Sequence, residues 1–191
     1  MRIVAGEFKG RTIEAPQGEG TRPTIDRVRE ALFSSLYSLR GGFEGAVVLD
    51  AFAGSGALGL EALSRGAVRA VFFERDPQAA KVCERNMKTL GLDSRIALCV
   101  KRDVMKTPPV EQRPPFDLVF LDPPYAFEAK DVVRMVSELK KAGAIAPDAI
   151  IAYEHAHTTR IETAGAIESA GHECIVTKKY GKTSITIWRA R

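Results

Sequence analysis

At 191 residues, with 45% hydrophobic and 27% charged side chains, the chain suits one α/β domain with a small appendage, and that balance argues against long disorder. No apolar stretch approaches about 18 residues, which argues against a membrane-spanning helix, and the start MRIVAGEFKGR lacks the apolar segment and cleavage site of a secretory leader. The net charge of +4 is uneven: residues 1–29 hold six Lys/Arg against four acids and residues 172–191 five against one, leaving the middle at −2. Basic ends on a slightly acidic body fit a polyanion gripped by the termini, and fit a plain solubility charge equally well.

In chain order, RIVAGEFKGRTIEA has strand-like halves around two glycines and is followed by PQGEGTRP, a loop by composition. Thr24 is placed to cap a helix running to about Leu39, with Asp26 in its first turn and Val28, Leu32 and Leu36 on one face. Short apolar runs at 46–51, 70–74, 96–100, 117–122 and 149–154 predict strands covered on both faces. Between them, Ala57–Ser64, Pro77–Leu90 and Glu128–Lys141 predict helices, the last with Val132, Val133, Val136 and Leu139 on one face. That alternation predicts βαβ units and a mostly parallel sheet. At the end, ECIVTKKY and TSITIW flank a Gly-Lys turn, an antiparallel hairpin. The chain divides near residue 45 into an extension (1–45) and a main domain (46–191), and the extension is expected to pack on that domain. Cys83, Cys99 and Cys174 are odd in number and far apart. They read as free buried thiols in a reducing cytoplasm, not as disulfides or a metal site.

The stretch LDAFAGSGALG spaces Gly54, Gly56 and Gly59 as G-x-G-x-x-G after a strand, a pattern that suits several nucleosides. Asp50, just before it, would repel a dinucleotide pyrophosphate but suits a cationic ligand such as S-adenosylmethionine. Glu74 ends the next strand, where an acid takes two ribose hydroxyls, and Asp103 follows the third, within reach of an adenine amino group. A fourth strand stops at Asp122-Pro123-Pro124-Tyr125. Prolines cannot continue a ladder, so the acid stands at the rim of the sheet. There a carboxylate and a rigid carbonyl can both accept from an exocyclic base amine, and Tyr125 offers a ring on which a flipped base stacks. His155 and His157 lack further ligands for a metal pair, and Trp188 reads as core.

These features together resemble the class I S-adenosylmethionine-dependent methyltransferases that modify base amines. More narrowly the chain resembles the RsmD family, on RIVAGEFKGRTIEAP, TRPTIDRVREALFSSL, LDAFAGSGALGLEALSRGA, FFERD, LDPPY and YGKT in that order. The resemblance implies a Rossmann-like fold with a seven-stranded, mostly parallel sheet ending in an antiparallel hairpin, plus a small N-terminal β-hairpin and helix. It implies methyl transfer to the N2 amine of one guanine of 16S ribosomal RNA, as in the guanine 966 enzymes, with S-adenosylhomocysteine as product and no metal. Asp50, Phe52, Gly54, Gly56, Glu74 and Asp103 would hold the cofactor, Phe52 beside its methionine part, and Asp122 to Tyr125 the guanine. Lys9, Arg11, Arg22, Arg27 and Arg29 would contact RNA, with Arg22 and Thr24 bordering the target pocket. The partner would be 16S rRNA, alone or within an assembling small subunit. The alternatives are an adenine-N6 methyltransferase on RNA or DNA, a dehydrogenase (disfavoured by Asp50) and a non-catalytic RNA-binding module.

Overall fold

The computed structural model describes residues 1–15, 23–124 and 127–191, the side chains of 23–25 excepted. Seven strands form one sheet: β1 (Val47–Asp50), β2 (Arg69–Phe73), β3 (Ala97–Val100), β4 (Phe116–Leu121), β5 (Ile145–Ala156), β6 (Glu173–Tyr180) and β7 (Thr183–Arg189). Their order is β3-β2-β1-β4-β5-β7-β6. The first five pair in parallel, and β7 runs antiparallel to both β5 and β6. The predicted α/β architecture and its closing hairpin are thus observed.

Side chains alternate between two apolar layers because successive strand residues face opposite sides. Val48, Phe72, Leu118 and Ile150 face α1 (Pro23–Arg40), α2 (Ala57–Ser64) and α3 (Pro77–Thr89), through Leu32, Phe33, Leu36, Leu60, Cys83 and Met87. Leu49, Val71, Val119 and Ile151 face the opposite layer, where α4 (Ala129–Lys141) contributes Val132, Val133, Val136 and Leu139 and α5 (Arg160–Ser169) contributes Ile167. Trp188 is fully buried there, edge-on to Tyr153.

Two expectations need correction, and a third is met by a shorter element. Helix α1 begins at Pro23, so Thr24 lies inside its first turn and not at the cap; the fixed φ of proline suits that first position. The N-terminal β-hairpin is present but short: Arg2 and Thr12 form an antiparallel bridge, flanked by Ile3 N–H to the Arg11 carbonyl and Ile13 N–H to the Met1 carbonyl, each at 3.0 Å. At its tip the backbone turns to α2: Val4 and Ala5 N–H donate to the Glu61 carboxylate (2.8 and 3.0 Å), Glu7 N–H to the Ser64 carbonyl and Phe8 N–H to Ser64 Oγ. Backbone donors committed to a helix cannot also extend the ladder, so the pairing stops at Ile3. Helix α5 was not expected at all, since RIETAGAIES buries only Thr163 and Ile167 and carries too weak an apolar stripe to be read.

Ile3 and Ile13 nevertheless sit in the first apolar layer with Leu32 and Phe33, so the extension packs on the sheet domain as expected. Among the described residues, no helix is long and apolar enough to cross a membrane.

Candidate active site

Chain reversal in strand order leaves a crevice at the carboxyl ends of β1 and β4, the position where open α/β sheets take ligands. Here it is a cavity of about 850 Å³, within the roughly 300–1,000 Å³ of small-molecule clefts. Asp50, Phe52, Gly54, Glu74, Asp103, Asp122, Pro123 and Pro124 all line it. One cavity therefore gathers residues spread over more than seventy positions of sequence.

Asp50, Glu74 and Asp103 are each held by backbone N–H groups. Asp50, 2% exposed, accepts from Gly59 N–H at 2.9 Å and so anchors the start of α2 from the strand below. Burial pushes its carboxyl up to about 7; the Gly59 bond opposes this and the nearby Glu74 charge adds to it. Glu74 accepts from Gly54 N–H at 2.8 Å and from Asp76 N–H at 2.7 Å. Asp103 accepts from Met105 N–H at 3.0 Å and lies 3.8 Å from the Arg75 guanidinium.

The glycines do different jobs. Gly54 has φ +53, and a Cβ there would meet nothing within 4 Å, so its need is conformational and it opens onto the cavity. A Cβ on Gly59 would stand 2.3 Å from the buried Phe72 ring, so its need is close approach of helix and strand. Gly56 does not line the cavity; it is buried against Cys83.

Pro123 is buried while Asp122 and Pro124 are exposed at the rim. Tyr125 lies outside the described residues, as do Arg22 and the side chain of Thr24. Phe52 packs on Phe127 with ring centroids 5.9 Å apart, and Arg75 lies 5.7 Å over the other ring. Lys9, Arg11 and Arg27 are exposed, and none of them lines the cavity.

A protein family described as "Conserved hypothetical protein 95" matches residues 1–189. Ribosomal RNA small subunit methyltransferase D of Haemophilus influenzae is 39% identical over 81% of this chain and 78% of that protein. The Escherichia coli K12 protein of the same name is 38% identical over 81% and 74%. The chain belongs to the RsmD family. The solved structure of yhhF from Escherichia coli matches with a TM-score of 0.78 at 29% identity, covering 100% of this chain and 98% of that one. The RsmD chain described here thus has the class I methyltransferase fold and is a methyltransferase.

In this RsmD chain one expected RNA contact moves to another role. Arg29 is 4% exposed and bonds the Arg2 carbonyl and Asp26, with Glu61 at 3.8 Å. This buried, paired guanidinium ties the start of the chain to α2 through the Arg2 carbonyl and Glu61. His155 and His157 are bound to Thr186 and Ser184 across the β5–β7 pair, each at 2.8 Å. Cys83 is buried, Cys99 and Cys174 half-buried, and all three are free thiols. Burial of the two half-buried ones is less than the sequence implied.

Several lining residues escaped the sequence reading. Met1, Val28, Arg29 and Leu32 form one wall, and Tyr180, Thr183 and Ile185 of the β6–β7 hairpin another. Glu154 also lines the cavity. Its signal was present: like Asp50 and Asp122, it stands at the end of an apolar strand run.

Proposed function

We propose that this chain transfers a methyl group from S-adenosylmethionine to the N2 amine of one guanine in 16S ribosomal RNA. The observation that carries the proposal is the single cavity in which three backbone-held acids and the Asp122-Pro123-Pro124 rim meet. The relatives named as small-subunit rRNA methyltransferases support the RNA substrate.

The donor set fits the cofactor. Asp50 and Glu74 suit a ligand bearing ammonium and ribose hydroxyls, the open face of Gly54 admits close backbone approach, and Asp103 suits an adenine amine. When bound, S-adenosylmethionine supplies an electrophilic methyl group and departs as S-adenosylhomocysteine. Asp122 and a proline-fixed carbonyl accept from the two N2 hydrogens and keep the nitrogen lone pair out of the ring. Their rigidity holds that lone pair on the line of displacement, since positioning supplies much of the rate in such transfers. The amine becomes cationic as it gains the methyl and then gives up a proton, so no strong base is required. The exposed Lys9, Arg11 and Arg27 meet phosphate, with Arg22 beside them in sequence.

Labelled methyl transfer onto undermethylated small-subunit particles, followed by nucleoside analysis, tests this. N2-methylguanosine at guanine 966 is expected. N6-methyladenosine, or a labelled product in DNA alone, overturns it.

A further inference from the structure

We infer that Glu154 is the residue that selects guanine, by accepting a hydrogen bond from its N1–H while the neighbouring Asp122 rim holds the N2 amine. This assignment rests on the guanine-N2 reading above.

Register brings the two acids together. Leu121 of β4 pairs with Tyr153 of β5, and neighbouring strands lie roughly 4.8 Å apart, so Asp122, the residue after β4, leaves the ladder next to Glu154 of β5. Both line the same cavity. On its other side Glu154 pairs with Ile185 of β7, and Tyr180, Thr183 and Ile185 continue the wall. A carboxylate in this corner lies beyond the acids that face the cofactor and next to the one that faces the amine.

The chemistry of the base matches that corner. Guanine presents N1–H and N2–H₂ as adjacent donors on one edge, so two adjacent acceptors read it. A base with a bare ring nitrogen at N1 presents an acceptor there, and its lone pair meets a carboxylate unfavourably. Flipped bases are read by hydrogen bonds on this edge, and a site built for an N–H rejects an analogue lacking it far more strongly than an apolar pocket rejects a missing methylene. Desolvation holds the Glu154 carboxyl above its ordinary range, and an N–H donor from the base offsets part of that cost.

The test uses small-subunit RNA ligated from two pieces so that the methylated position carries guanosine or 2-aminopurine riboside. The latter keeps the 2-amine but turns N1 into an acceptor. Wild-type protein is expected to favour guanosine in kcat/KM by about 100-fold or more. E154Q, whose amide NH₂ can donate to N1, is expected to lower that ratio at least about tenfold while S-adenosylmethionine affinity stays within about twofold. Because 2-aminopurine also lacks O6, it is the change in ratio between proteins that reports on N1. An unchanged ratio in E154Q that still binds cofactor overturns the assignment. Should E154Q lose cofactor binding, E154D decides: its withdrawn carboxylate should lower kcat/KM on guanosine RNA alone, and equal losses on both RNAs overturn the proposal. The wild-type product separates the two levels of inference. N2-methylguanosine with an unchanged ratio removes only the role of Glu154, whereas N6-methyladenosine removes the parent reading and this assignment with it.

Discussion

The N–H of Gly54, in the loop after β1, donates to Oε2 of Glu74 at the end of β2 across 2.8 Å. The same carboxylate accepts from Asp76 N–H, so one side chain sets the separation between the glycine loop and the start of α3. Each carboxylate oxygen keeps a second lone pair for a ligand hydroxyl. Glu74→Ala is therefore expected to weaken S-adenosylmethionine binding by about 1–3 kcal/mol, read by calorimetry. NAD should not displace the methyl donor at comparable concentration; displacement would contradict the cofactor assignment.

Asp50 should make cofactor binding depend on pH. Its folded value of about 7 lies above the ordinary 3.8, so between those values the folded chain holds a proton that the unfolded chain has lost. The resulting stability is full below 3.8 and falls as pH rises towards 7, with a slope of at most about 1.4 kcal/mol per pH unit. A cationic ligand favours the ionised form, so its affinity should rise through that range and its binding should release a proton. Calorimetry near neutrality in two buffers of different ionisation enthalpy would detect that proton. In Asp50→Asn, which keeps an acceptor for Gly59, the proton release should vanish.

Asp122→Ala should abolish turnover and leave cofactor binding within a few-fold, because this carboxylate is assigned to the amine. Asp122→Asn retains an acceptor oxygen and should keep more activity than alanine. Cofactor affinity lost in step with turnover would assign Asp122 to the wrong ligand.

Glu61 predicts a stability effect without a catalytic one. Its fully buried carboxylate takes Val4 and Ala5 N–H and the Arg65 guanidinium, with Arg29 at 3.8 Å. Glu61→Ala leaves the Val4 and Ala5 N–H groups without acceptors while Arg29 keeps Asp26, at a cost of about 1–3 kcal/mol for each stranded donor. Chemical denaturation should show that loss, and the extension, not the sheet, should be the part that first becomes susceptible to protease.

Phosphate contact by the extension predicts a salt effect. Replacing Lys9, Arg11 and Arg22 together should reduce the magnitude of the log–log salt slope of RNA binding by up to about 2–3 units. An unchanged slope in a triple variant that still binds cofactor would pass the role to Lys178, Lys179 and Lys182 of the closing hairpin.

Local signals carried the sheet domain far. Apolar runs of four to six residues, the face of Val132, Val133, Val136 and Leu139, and the Gly-Lys turn each report a structure formed by neighbours in the chain. For the same reason the strand-end acids Asp50, Glu74, Asp103 and Asp122 were legible as a set: a parallel sheet sends every strand's carboxyl end to one rim. What required the tertiary structure were the partners brought from a distance. Arg29 looks like any helix arginine until Glu61 and the Arg2 carbonyl close around it. The strand-like halves at residues 2–13 pair only at their outer ends, because α2 takes the N–H groups of Val4, Ala5 and Phe8. Glu154 differs from an ordinary strand glutamate only because the β4–β5 register sets it beside Asp122. Periodicity and motif report which face a residue shows and where its strand ends; the identity of what meets it there depends on strand order and register, which no local stretch encodes.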